Sequence, residues 1–224
     1  MSLSDGHHTR KMVAGACMVL APLFLLASAI VHPDAGTSAA SQAAAIADQA
    51  DAWYAAHALA LASVVLAVPA VLGLMHMLRE KRVLEGHVGG ALALLGLLAF
   101  TGVIAIEMAL WQAGDEAATA AMIDRVGETA GLVVPFTAMS FGLVAGFIVL
   151  AYGLYAAHAI NAPMAACIAI GAALLAVATA TATMWAAIAA GVVLALGLGA
   201  TGLMVLSETD AEWEHTPEFH GLTT

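Results

Sequence analysis

Charged side chains are scarce in this sequence. They make up 10% of the 224 residues, whereas 62% are hydrophobic, and a soluble domain carries about 25% charged residues. A chain with so little charge cannot cover a water-facing surface. The composition therefore excludes an ordinary soluble enzyme or binding domain. It predicts an all-α integral membrane protein whose main partner is the lipid bilayer.

Cysteine, aromatic and basic residues are also few. Both cysteines, Cys17 and Cys167, lie in apolar segments, so they form neither a disulfide framework nor a metal-ligand pattern. Six Lys and Arg against 16 Asp and Glu give a net charge of −10, which argues against nucleic-acid binding. Aromatic residues make up only 6%, and alanine and glycine are abundant, which is typical of membrane helices that pack closely through small residues.

Catalytic and nucleotide-binding motifs are missing from the sequence. We find no Walker motif, no Rossmann glycine pattern, no nucleophile elbow and no zinc-protease motif. There is also no long polar segment that could form a nucleotide-binding domain. The sequence therefore favours a protein that is not an enzyme.

Six apolar segments are each long enough to cross a bilayer, which takes about 20 helical residues. The predicted spans are 12–31, 54–78, 88–112, 131–157, 164–181 and 185–206. They predict a single domain, residues 12–206, in which six transmembrane helices form one bundle. A polar N-terminal tail, 1–11, precedes this domain, and an acidic tail, 207–224, follows it.

Two of these spans admit other interpretations. The first has a basic flank and the small residues Ala27, Ser28 and Ala29, as a cleavable signal peptide would. Its length of about 20 residues favours an uncleaved helix instead. The run 164–206 would be about 65 Å long as one helix, so we place a turn near Thr181–Thr183, although no glycine or proline marks it.

Basic residues indicate the orientation. Five of the six lie at one predicted end of the bundle: Arg10, Lys11, Arg79, Lys81 and Arg82. Because Lys and Arg concentrate in short cytoplasmic loops, we expect both termini and the 79–87 turn to be cytoplasmic, in a prokaryotic inner membrane. The aromatic residues expected at the outer interface are Trp53, Tyr54, Trp111 and Trp185, and Tyr152 and Tyr155 are expected near the inner one.

The second and third spans carry the polar residues of greatest interest, His57 and Glu107. A short turn joins these spans, so they should pack antiparallel and bring the two residues to a similar depth. A carboxylate near the centre of a span costs about 2.5–3.5 kcal/mol. We therefore expect Glu107 to face the bundle interior, with His57 as its partner.

Other polar residues could complete a pocket around this pair. The candidates are Tyr54, Gln112, Thr137 and Ser140. Such an outward-facing pocket predicts a transporter-like or permease-like protein that carries a proton or a ligand. The alternative is a buried pair that only fixes helix register, in an accessory or structural subunit that assembles with other membrane proteins or with a second copy.

Histidines near the cytoplasmic ends suggest a further alternative, a membrane haem or redox protein. They are His76, His87 and His158, and three imidazoles at one level could ligate haem or a metal. We do not favour this, since histidine at a helix end suits the headgroup region. In the tail, Glu214, His215, Glu218 and His220 could bind a divalent cation, but a disordered acidic tail is the favoured interpretation.

Overall fold

The computed structural model describes residues 3–113 and 115–215. This part of the chain forms nine helices and contains no strand. The helices are α1 (Leu3–Val31), α2 (Ala39–Asp48), α3 (Ala50–Met77), α4 (Val83–Leu110), α5 (Glu116–Gly127), α6 (Ala130–Ala156), α7 (Ala162–Thr181), α8 (Met184–Ser207) and α9 (Asp210–Trp213).

Six of these helices, α1, α3, α4, α6, α7 and α8, are long and apolar enough to cross a membrane. The predicted all-α bundle of six spans is therefore confirmed, and the protein is a multi-pass membrane protein. We call the end where α1 begins and residues 78–82 join α3 to α4 the basic end. The opposite end, which carries α2, α5 and the α7–α8 turn, is the loop end.

The six spans form a ring in the order α1, α3, α4, α6, α7, α8, and α8 packs back against α1. In the half nearer the basic end, large side chains fill the interior. Those with 0% exposure include Met18, Leu74, Met77, Leu150, Leu154, Ile168 and Val205. This half of the ring is closed by a packed apolar core.

Glycines let α4 and α6 pack with their backbones in contact. A Cβ added at Gly146 would lie 2.4 Å from the backbone nitrogen of Ala93, and one added at Gly96 would lie 2.5 Å from that of Leu143. Gly142 and Gly146 form the G-x-x-x-G motif of the fourth span. Since backbone atoms cannot move aside as a flexible side chain can, this seam excludes any larger residue.

Replacing Gly96 by alanine should therefore destabilise the bundle by about 1–3 kcal/mol, as overpacking of a core does. Gly102 on the same helix has nothing within 4 Å of its would-be Cβ, so Gly102→Ala is the matched control. We expect the control to be neutral or stabilising by up to about 1 kcal/mol, because alanine is the better helix former. Unfolding by SDS in mixed micelles measures both variants. Equal effects would contradict the close α4–α6 contact.

The turn between the last two spans lies where the sequence predicts it. The helix α7 ends at Thr181, and Ala182 adopts a left-handed conformation with φ 48° before α8 begins. The backbone N–H of Thr183 donates to the carbonyl of Ala178 at 3.2 Å. Glycine adopts this conformation at lower cost. Because alanine occupies the position instead, no glycine marks the turn in the sequence.

The N-terminal segment differs from the predicted tail, since α1 begins at Leu3. Lys11, placed in the tail by its charge, is only 4% exposed. Its Nζ donates to the carbonyl of Glu208 at 2.7 Å and lies 2.6 Å from Asp210 Oδ1. The first turns of α1 are therefore stabilised by the C-terminal segment, a partner that is remote in sequence and that local polarity does not reveal.

The C-terminal tail is also docked over the part that the structure describes. Trp213 on α9 is 2% exposed, and its ring stacks on His76 with centroids 4.5 Å apart. The carbonyl of Trp213 accepts hydrogen bonds from His76 Nε2 and Arg79 Nη2, both at 3.1 Å. We call these contacts, with those of Lys11 and Asp210, the tail clasp. The expectation of a disordered tail is wrong as far as residue 215, and residues 216–224 lie outside the described part.

The tail clasp should loosen as the pH rises from 4.5 to about 7. Glu208 Oε2 is buried with no hydrogen-bond partner among the described residues, and burial, reinforced by Glu212, raises the pKa of Glu208 from 4.5 to about 7. A carboxyl whose pKa is raised on folding stabilises the fold below its ordinary pKa, and that stability is lost as the pH passes the raised value. Tail release should therefore occur mainly between pH 4.5 and about 7.

A spin label on Ala211→Cys, exposed on the docked helix, would report this release as faster motion. The control is Glu208→Gln, which should remove the change over that pH range. Contacts with Lys11 and His8 lower the pKa of Asp210, so its contribution is lost only in more acidic solution. Label motion that is constant between pH 4.5 and about 7 in the protein that retains Glu208 would contradict the assignment.

Candidate functional site

A cavity of about 280 Å³ lies inside the ring at the loop end. All six spans contribute to its wall, and the 33–36 loop and α2 lie at its mouth. Its apolar lining includes Leu25, Phe100, Phe136, Met139, Leu175 and Ala187. Its polar lining includes Ser28, His32, Gln42, His57, Glu107, Thr179 and Thr183. A mainly apolar wall with a few polar groups is the usual character of a small-molecule site.

His57 and Glu107 are in contact in the cavity wall. His57, which is 3% exposed, has its Nε2 at 2.9 Å from Glu107 Oε2. Its Nδ1 lies 2.7 Å from the carbonyl oxygen of Trp53, and a carbonyl can only accept, so Nδ1 carries a hydrogen. The Nε2–Oε2 contact therefore holds one shared proton, and the pair has no net charge whichever atom carries it.

Trp53, predicted to lie at the membrane interface, is instead 3% exposed. Its indole Nε1–H donates to the backbone carbonyl of Glu107 at 3.0 Å, and its ring lies 4.6 Å from that of His57. Trp53 thus ties α3 to α4 at the level of the pair. The burial of Trp53 could have been predicted from the sequence, because residues four apart share a helix face and His57 was expected to face inward.

His32, which follows the last residue of α1, completes the cluster. Its ring lies 5.0 Å from Trp53 and 5.1 Å from His57. Its Nδ1–H donates to the carbonyl of Pro33 at 2.7 Å, and burial lowers the pKa of the imidazole. His32 is therefore neutral at neutral pH. His32 was not among the residues predicted to form the pocket, although it lies at the same membrane end as His57.

Comparison with protein-family models, curated proteins and solved structures finds no match. The chemistry of the cavity is therefore the basis for inferring a function. Glu107 supplies a carboxylate with 37% of its side chain exposed, whereas the His57 side chain is 4% exposed. Together they can hold and release a proton, and the apolar wall can bind a solute that has an apolar body and a polar end.

Of the six residues predicted to form a pocket, four lie elsewhere. Tyr54 is 43% exposed and its ring lies 5.0 Å from Trp111. Gln112 is exposed just beyond the end of α4, and Ser140 is half-buried outside the cavity wall. Thr137 is exposed, and its hydroxyl donates to the carbonyl of Val133 at 2.8 Å. The structure thus brings together His57 and Glu107 and leaves the other four outside.

The three histidines considered for haem have different surroundings. His76 belongs to the tail clasp. His87 is exposed and its Nδ1–H donates to the carbonyl of Val83 at 2.8 Å. His158 is exposed and has φ 60° at the end of α6. Among the described residues there is no group of three or more side chains that could hold a metal ion.

The tail residues considered for a divalent cation also have different partners. Glu214 contacts His7, whereas His215 lies 3.1 Å from Glu80. The other two, Glu218 and His220, are outside the described residues. Glu214 and His215 therefore take part in separate contacts with α1 and with the α3–α4 turn.

Proposed function

We propose that the protein is a transporter-like membrane protein that binds a small, partly apolar solute in the cavity and carries a proton on His57 and Glu107. The observation that carries this proposal is the proton-sharing pair in the wall of a cavity bounded by all six spans. The packed core of the other half supports access from one side only. In alternating access, the site is closed towards one membrane face in each of the two states.

The distribution of basic residues supports an orientation for this site. Arg10, Lys11 and the Arg79–Arg82 turn lie at the basic end, and Arg125 is the one Lys or Arg in the chain beyond that end. By the positive-inside rule, the basic end faces the cytoplasm of a prokaryotic cell. The cavity then opens to the outside, and solute enters from there.

The proton on the pair provides a means of coupling. With one shared proton, His57 and Glu107 are neutral as a unit and can be enclosed without a large desolvation cost. Without that proton, the pair carries a net negative charge, which is expensive to bury away from water. The neutral pair therefore favours closure of the loop end, and its deprotonated form keeps the cavity open to water.

The experiment uses protein reconstituted into liposomes that contain a pH-sensitive dye. A panel of small alcohols, amines and carboxylates, each with an apolar body, is added outside. We expect one class to change the internal pH in liposomes with the protein and not in empty liposomes. Glu107→Gln should abolish the change, whereas Glu85→Gln, which removes a carboxylate at the basic end, should retain it.

Failure of every solute class to produce a change that depends on Glu107 would overturn the proposal. Glutamine keeps the shape of Glu107 and a hydrogen bond to His57 but cannot carry a proton. If Glu107→Gln also folds with normal stability, the hydrogen bond is sufficient and the pair serves only to fix helix register. That result would favour the accessory or structural role. Stable co-purification with other membrane proteins would be the corresponding observation.

A further inference from the structure

The cavity contains a single acidic side chain among its described lining residues, that of Glu107, and no lysine or arginine. His57 occupies its Oε2, and 37% of the side chain is exposed, so the carboxylate is open to a ligand in the cavity. Phe100, Phe136 and Leu175 surround the remaining space with apolar surface. A ligand that satisfies both features has a positive charge on an apolar body.

The exposed surface of the loop end has the same electrostatic preference. The exposed acidic residues at the loop end are Asp34, Asp48, Asp51, Asp115, Glu116, Asp124 and Glu128. Arg125 is the only Lys or Arg at this end among the described residues. A surface of one charge sign raises the local concentration of opposite ions and repels like ones. This observation favours cations independently of Glu107.

We infer that the solute is a small lipophilic cation, such as an organic ammonium ion, and that it exchanges for the proton held between His57 and Glu107. This inference rests on the proposed function and specifies its substrate class. A cation beside the Glu107 carboxylate replaces the positive charge that the shared proton supplies. The proton then leaves to water, His57 stays neutral with its Nδ1–H on Trp53, and the site is again neutral overall.

The other groups that face the pair do not supply this proton. His32 is neutral, because burial lowers its pKa, and its Nδ1–H is held by Pro33. Asp34, two residues after it, is exposed to solvent. The described lining residues of α6, α7 and α8 include no titratable side chain. A proton released on binding therefore comes from the His57–Glu107 pair.

Benzyltrimethylammonium is a suitable probe, because it is permanently charged and has no proton of its own to lose. Its uncharged isostere, neopentylbenzene, has the same shape, and 3-phenylpropanoate supplies an anion of similar size. Binding to purified protein in detergent at neutral pH is followed by calorimetry, and proton release by a dye in weak buffer. We expect the cation to bind with release of one proton, and the other two to bind at least tenfold more weakly and without release.

Variants separate this inference from the proposed function. Glu107→Gln should lose both cation binding and proton release, whereas Glu85→Gln, which removes a carboxylate at the basic end, should retain both. The uncharged or the anionic probe could instead bind more tightly than the cation, and Glu107→Gln could abolish that binding. Such a result would overturn the cation assignment and leave the proposed solute-binding cavity intact. Absence of cation binding, or cation binding without proton release, would also overturn the inference.

Discussion

Replacing both His57 and Glu107 by alanine should cost less stability than the two single replacements added together. Glu107→Ala leaves the Nε2 of a side chain that is 4% exposed without a partner, a loss of about 1–3 kcal/mol. His57→Ala leaves a carboxylate that is 37% exposed and can be hydrated, so its unpaired charge costs less. The double variant has neither group, and the expected coupling is about 0.5–3 kcal/mol.

The matched control is an exposed ion pair on the same hairpin. Arg82 and Glu85 lie 3.2 Å apart, with side chains 44% and 21% exposed, and such surface pairs contribute at most about 1 kcal/mol. The same cycle at these positions should give a much smaller coupling. Additivity at His57 and Glu107, measured by SDS unfolding in mixed micelles, would mean that the two side chains do not interact.

Trp53→Ala should be among the most destabilising single substitutions in the chain. The indole is 3% exposed, packs against His32 and His57 and donates to the backbone of Glu107. Loss of a buried tryptophan costs about 3–5 kcal/mol. Trp53→Phe keeps an aromatic ring and removes the hydrogen bond, so it should cost about 0.5–1.5 kcal/mol for that bond, plus a packing loss.

Trp185 provides the comparison for Trp53, because it is 81% exposed at the start of α8. Trp185→Ala should change the free energy of unfolding by no more than about 0.5 kcal/mol in detergent. Ring packing also holds His57 in place, so Trp53→Ala should in addition impair probe binding. Equal stability losses at the two positions would contradict the inward placement of Trp53.

Hydropathy and segment length predicted the six spans, because both depend only on local composition. They did not predict the helical start at Leu3 or the docked Trp213. Lys11 and His76 hold the C-terminal segment through contacts with residues that lie 197 and 137 positions away in the sequence. Polar residues at a helix end look the same in sequence whether water or a distant segment binds them.

The hairpin between α3 and α4 made the His57–Glu107 contact predictable, since a short turn fixes the relative depth of two antiparallel spans. The rotation of α6 was not predicted. Successive helical residues are rotated by about 100° around the helix axis. Around that axis, Met139 lies about 60° from Gly142, and Thr137 lies about 140° from Gly142 in the opposite direction. Because Gly142 packs on α4, Met139 faces the cavity and Thr137 faces away. The glycine seam was the signal that would have excluded Thr137.

The most direct test of the proposed solute-binding cavity is the reactivity of two buried serines after their replacement by cysteine. Ser28 on α1 lines the cavity and is 7% exposed. Ser63 on α3 is 6% exposed, and its hydroxyl donates to the carbonyl of Ala21 at 2.8 Å, outside the cavity lining. Burial alone therefore does not distinguish them. The native Cys17 and Cys167 are first replaced by alanine.

Intact bacterial cells that express each variant are treated with a membrane-impermeant, cationic methanethiosulfonate reagent. Ser28→Cys should react, and benzyltrimethylammonium should protect it, whereas Ser63→Cys should not react. This result would place an open, solute-binding cavity at the outer face of the membrane. Reaction of Ser28→Cys only in inverted vesicles, or no reaction from either side, would contradict the proposed outward-open cavity.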